Sequence, residues 1–198
     1  MKSLFKESLV SIKKNFKRFL SILAIVLLGV GFFVGIRVTS PNMQKTIDKY
    51  FEDTNFLDLD LLSTWGITDS DINYIKEKGF VVSPFYQIDA IVDGETEEVA
   101  KVISFDSTAN MNKPILLDGK FPEKDDECVI EENKHTKLYE IGDTIKLNDD
   151  SLKEKTLKIV GIVKSPLYVS IERGTTTKLS GIINFFIYVP KSNFDMDY

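Results

Sequence analysis

The chain has 198 residues, a formal net charge of −5, one cysteine and one histidine. That length holds one buried core or two small lobes, the lone cysteine excludes an internal disulfide framework, and the acidic balance argues against a nucleic-acid partner. The charge is unevenly placed: residues 1–18 carry Lys2, Lys6, Lys13, Lys14, Lys17 and Arg18 against Glu7 alone, and residues 37–198 carry 19 basic and 29 acidic residues, a net of −10.

The leader, residues 1–18, places Phe5, Leu9, Ile12, Phe16 and Phe19 at alternating four- and three-residue steps. This draws one apolar stripe along a helix whose other faces hold the lysines, the pattern of an amphipathic helix on the inner membrane surface. Phe19 to Ile36 then runs 18 residues without a charge, and 13 of them are Leu, Ile, Val or Phe. At ~1.5 Å per residue the run is about 27 Å long, close to the ~30 Å hydrocarbon core, with Arg18 and Arg37 able to snorkel from its ends. Residues 19–37 are therefore expected to cross a membrane, the basic leader staying cytoplasmic and the acidic remainder exported. A cleaved signal peptide needs small residues before its cut site; Val38 and Ser40 would put Pro41 directly after the cut, and no cysteine follows the span to accept a lipid. Gly31 and Gly35 form a GxxxG, a smooth face on which a second membrane helix can pack closely.

Ser40-Pro41 has the form of an N-cap followed by proline at the first helical position, so a separate stalk helix is expected over 38–54, with Met43, Ile47, Tyr50 and Phe51 on its apolar side as coupling residues. Leu57, Leu59 and Leu61 alternate with Asp58 and Asp60, predicting a half-buried strand. Thr68 with Asp71 predicts a capping box, Ile72 and Ile75 an apolar face, and Gly79 a stop. Residues 80–106 read as a hairpin turning at Asp93-Gly94 in a tight two-residue turn. Further strands are expected at Val129-Ile130, Thr144 to Leu147, Leu157 to Val163 and Ile182 to Val189. The fold class is α+β: amphipathic helix, transmembrane helix, then a strand-rich exported domain over 55–198 with short helices and a candidate seam at 106–113.

The reactive side chains carry no recognised chemistry. Cys128 precedes His135 and Arg173 in an acidic, strand-like setting that disfavours a thiolate, unlike sortases, which place histidine well before cysteine; Cys128 is read as a small core residue and His135 as a solvated one. Ser40 lacks the Ser-x-Met-x-Pro setting of type I signal peptidase. Glu123, Asp125, Asp126, Glu127, Glu131 and Glu132 lack EF-hand spacing and are read as solvated surface. Arg173 to Thr177 reads as a bend rather than an anion site, and there is no Walker A sequence. No catalytic residue, cofactor or metal site is expected.

From Pro114 onward a series of local motifs follows in order: Leu117-Asp118-Gly119-Lys120-Phe121-Pro122, Glu127 to Ile130, Ile141-Gly142-Asp143-Thr144-Ile145, and Ile159-Val160-Gly161-Ile162-Val163. Ser165-Pro166-Leu167-Tyr168, Arg173-Gly174-Thr175-Thr176 and Tyr188-Val189-Pro190 complete it. Behind one basic-flanked span, this series resembles the FtsX-like permeases of ABC transporters, specifically the MacB-type core domain between their first and second transmembrane helices. The resemblance makes Gly119, Pro122, Gly142, Asp143, Gly161, Ser165, Pro166, Arg173, Gly174 and Pro190 family-like positions; Lys120 stands where arginine is more frequent. It implies a permease dimer working with cytoplasmic ABC ATPase subunits, in which helix motion reaches the exported domains for export or signalling, together with at least three further membrane helices. A stand-alone single-pass protein whose exported domain binds a peptide, cell-wall or protein ligand is the alternative.

Overall fold

The computed structural model describes residues 7, 10–63, 65–94, 98–167 and 172–195. The chain divides into two compact units, Met1–Tyr50 and Phe51–Tyr198, so the polar stretch 106–113 runs inside the second.

In the first unit residues 10–14 are helical, Asn15 is a turn, and α1 then runs from Phe16–Thr54 without a break. Asn15 N–H still donates to Ser11 C=O and Phe19 N–H to Asn15 C=O, both at 3.0 Å, so helical spacing passes through the turn. Of the leader's apolar stripe, Ile12, Phe16 and Phe19 are described, and Phe5 and Leu9 lie outside the described residues. The uncharged stretch lies wholly within α1, and none of its most apolar window is buried. A helix start at Ser40 is not what forms: Pro41 sits inside α1. Breaking the helix there would strand up to four carbonyls and four N–H groups, whereas carrying it through loses one hydrogen bond and crowds one carbonyl. Hydroxyls bond back onto the helix, among them Ser21 to Lys17 C=O, Thr39 to Gly35 C=O and Thr46 to Asn42 C=O, at 3.1, 2.7 and 2.9 Å. Polar side chains are thereby satisfied without a partner from outside.

The second unit begins with the last turn of α1. Asn55 takes the left-handed conformation (φ 47°), Phe56 N–H donates to Phe51 C=O at 2.9 Å, and the two rings stack at 4.5 Å, a Schellman-type stop. The strand predicted at 57–61 is absent: those residues are irregular and Leu59 and Leu61 are exposed. Alternation specifies two faces but not a ladder partner, and Leu57 N–H goes instead to the Asn112 side chain at 2.9 Å. Helix α2, Asp69–Glu77, has the predicted reciprocal capping box between Thr68 and Asp71, and Gly79 ends it with φ +89°.

Seven strands follow: β1 Gln87–Val92, β2 Glu98–Phe105, β3 Ile115–Gly119, β4 Glu127–Glu131, β5 Thr144–Asn148, β6 Thr156–Lys164 and β7 Phe185–Pro190. β1 and β2 are the expected hairpin, but Val92 pairs Glu98, so the connection spans 93–97 rather than two residues. β3 had no strand signal of its own. The sheet runs β1-β2-β7-β4-β6-β5 and closes, because β5 pairs β6 through Thr144–Lys158 and β1 through Val92–Leu147. β3 continues the free part of the same β6 edge. Closure into a small barrel removes exposed sheet edges.

Period-two burial fills the barrel. Ala90, Val102, Cys128, Ile130, Leu147, Ile159, Phe185 and Ile187 point into it, and Leu152 and Phe194, paired across a single bridge, belong to the same cluster. The opposite face is also covered: Ile103, Val129, Val163, Phe186 and Tyr188 pack under Phe85, Leu116, Phe121 and Leu167. Being buried on both sides, β7 and the Cys128–Ile130 centre of β4 read as continuous apolar runs rather than alternating ones. A bulge at Gly161, where Cys128 pairs Ile159 but Val129 pairs Gly161, shifts the parity of β6, so Ile159 and Ile162 both join the inner cluster.

Candidate functional site

Each unit leaves its own surface open. In the first, Gly31, Gly35, Thr39, Met43 and Ile47 fall on one i, i+4 row of α1, and with Phe32, Ile36, Ser40 and Gln44 they line a continuous shallow groove. A Cβ built on Gly31 or Gly35 meets nothing within 4 Å, so the groove floor is backbone open to an incoming helix. Such a row winds by about 40° per step, which makes a partner cross at an angle instead of lying parallel. The residues separated in the sequence as membrane packing (Gly31, Gly35) and stalk coupling (Met43, Ile47) thus belong to one surface, because the helix does not restart at Ser40. Tyr50 is half-buried at the end of the first unit, and Phe51 belongs to the cap that ends the helix in the second.

That end is anchored by residues that motif reading passed over. Thr54 is buried; Asn55 Nδ2 donates to Asn110 C=O at 2.5 Å; Asn112 N–H donates to Asn55 C=O at 3.2 Å. Both Asn55 and Asn112 have positive φ, a conformation asparagine tolerates better than most residues, which was the available signal.

The motif residues resolve into barrel joints. A Cβ on Gly119 (φ +79°) would lie 2.3 Å from Val160 C=O, and one on Gly161 would lie 2.5 Å from Lys120 C=O, so the two glycines let β3 and β6 cross in contact. Pro122 is buried beside Phe121, which stacks on Phe105 at 4.7 Å. Gly142 (φ +107°) donates to Ile159 C=O, and Asp143 accepts from Glu140 N–H through its carboxylate and from Ile159 N–H through its carbonyl, each at 2.8 Å; together they turn the chain into β5. Buried Ser165 shares a 2.7 Å hydrogen bond with Tyr188 Oη, and Pro166 is buried next to it; Tyr168 lies outside the described residues. Arg173 makes a two-pronged ion pair with Glu131, Nε to Oε2 and Nη2 to Oε1, both 2.9 Å, beneath the Phe186 ring. Gly174 (φ +98°) accepts from Ile183 N–H at 3.2 Å, and Pro190 is the buried end of β7.

Two charge readings need correction. The acidic run is not uniformly solvated. Glu131 is almost fully buried, its carboxyl pushed up by burial against the opposing pull of Arg173. Glu127 is buried too, held below the usual carboxylate range chiefly by the Glu123 N–H, with Lys120 assisting against burial. Among the described residues no group of three His, Cys, Asp or Glu is placed to hold a metal ion. His135 is not simply solvated either: it is half-buried, with Nδ1 2.8 Å from Glu98 Oε1. For Glu131 and His135 the cause is the same, since a partner 42 or 37 residues away cannot be read from local polarity. Cys128 lies inside the barrel, where burial pushes its thiol far above the ordinary range. Exposed apolar side chains also recur over 59–81, namely Leu59, Leu62, Trp65, Phe80 and Val81, Trp65 by 92 %, and α2 buries no residue.

Compared with known families, residues 19–198 match the MacB-like periplasmic core domain. No curated protein and no solved structure matches the chain.

Proposed function

The chain belongs to the MacB-like periplasmic core domain family, and from that premise we propose that it is the anchor and exported core domain of an FtsX-like ABC transporter permease. In this reading residues 19–36 cross the membrane with the basic leader inside, the groove of α1 receives neighbouring permease helices, and a cytoplasmic ABC ATPase drives the assembly through parts of the permease that carry its contact. The chain performs no catalysis; it transmits motion for export or signalling.

The observation that supports transmission is the continuity of α1. One helix contains the uncharged span and ends at the buried Thr54, with the Asn55 anchor directly after it. Every backbone bond along it is local, and Pro41 is the one position within it lacking a donor. Ile47→Pro in a complete transporter built around this chain should remove a second helix bond at about 3 kcal/mol locally, leaving ATP hydrolysis in place while export or signalling fails. Ile47→Leu should be nearly silent. Transport that survives the proline, with the protein folded and at the membrane, would make the helix a passive tether.

A further inference from the structure

We propose that the basic end of the membrane helix is a binding surface for anionic lipid headgroups. Lys13, Lys14, Lys17 and Arg18 are all exposed, and none of them enters an ion pair among the described residues. The chain itself offers little to neutralise them: Glu7 is the sole carboxylate before Asp48.

Geometry concentrates these charges. The 3.0 Å bonds on either side of Asn15 keep helical spacing from 11 to 19. At about 100° per residue the four cations share an arc of about 140°, while Ile12, Phe16 and Phe19 share about 60° on the other side. Helical spacing carried on from the span puts residues 13–18 within about 9 Å of its uncharged edge, which is headgroup depth when the span fills the hydrocarbon core. Four positive groups at that depth, bordering a low-dielectric layer, require counter-anions. Phosphate-bearing headgroups are the anions fixed at that depth, and clusters of four to eight Lys or Arg beside a span are the size that recruits them.

The proposal rests on reading 19–36 as a membrane span, but not on which leaflet holds the leader. The full chain is reconstituted in phosphatidylcholine vesicles containing trace spin-labelled phosphatidylglycerol or phosphatidylcholine, and the motionally restricted fraction of each label is measured. The glycerol lipid should associate at least about threefold more strongly at low salt, and this preference should shrink toward one in 1 M NaCl, where the screening length falls to about 3 Å. K13Q/K14Q/K17Q/R18Q should abolish the preference. K13R/K14R/K17R should keep it, and so should R37Q, which removes the charge at the other end of the span. Equal association for the natural chain, or a preference retained by the neutralised variant, overturns the proposal. Loss of preference when chloride is replaced by inorganic phosphate at constant ionic strength would make the cluster a soluble-anion site and overturn it too. Restriction of neither label would instead remove the span, and the proposal with it.

Discussion

The helix and the barrel satisfy their backbones in opposite ways. In α1 each hydrogen bond closes within four residues and the apolar side chains face outward, so the element forms by itself but remains incomplete as a surface. In the barrel, β2 pairs β7 and β4 pairs β6 across long stretches of chain, and its apolar residues are consumed by two packed faces. Apolar area is therefore left open on the helix, whereas the family-like residues of the barrel are spent on its own construction. The contrast predicts that equal chemical changes have unequal consequences in the two regions.

The largest difference should come from glycine. Gly119→Ala combines a left-handed backbone with a Cβ driven onto the Val160 carbonyl, and should destabilise the barrel by about 4 kcal/mol, read by denaturant unfolding of the full chain in detergent. A Gly119→Ala barrel as stable as the natural one would erase the contrast, since the crossing of β3 and β6 would not depend on close contact.

Next in size is the buried ion pair. Glu131→Ala removes the two-pronged carboxylate partner of Arg173 from a largely buried site and should cost about 3 kcal/mol, at the low end for such pairs because Arg173 keeps some exposure and the Phe186 ring. Faster hydrogen exchange in β4 and in residues 172–175 should accompany it. An unchanged exchange pattern would show that the pair does not hold that segment to the barrel.

On the helix, Gly31→Leu with Gly35→Leu should leave unfolding of the barrel unaltered, since neither site belongs to it and nothing lies within 4 Å of either. What should fall is crosslinking between α1 and neighbouring helices in the assembled complex, because two leucines fill the groove floor. Crosslinking at the natural level would mean that partners approach another face.

The smallest effect is a pH dependence confined to the barrel. Burial works to raise the Asp149 carboxyl, but hydrogen bonds from Lys178 and Ser151 outweigh it and hold the group below the ordinary range. A lowered folded-state value adds stability above the unfolded value near 4, and that stability is lost as pH falls through it. Asp149→Asn should thus be less stable at pH 7, with the gap closing below about pH 4. A gap that widens on acidification would reverse the assigned sign.

The uncharged span, the capping box of α2 and the strands at 144–147 and 157–163 were legible in the sequence because each rests on signals within a few residues: apolar periodicity, a side chain reaching its own turn, β-branched runs between turn residues. The stop of α1 was legible in principle through Asn55. Glu131 could not be distinguished from Glu132 by its surroundings in the chain, nor could the alternating Leu57 to Leu61 be known to lack a ladder, because burial and pairing are properties of what arrives from elsewhere. Tertiary structure alone decided the closure of the sheet through β5, the partners of Glu131 and His135, and the reciprocal fit of Gly119 and Gly161. The passage of α1 through Pro41 is by contrast a local balance, since losing one hydrogen bond is cheaper than ending one helix and starting another. Local interactions can be read along a chain, but the choice between competing non-local arrangements is made only when the whole backbone must be satisfied at once.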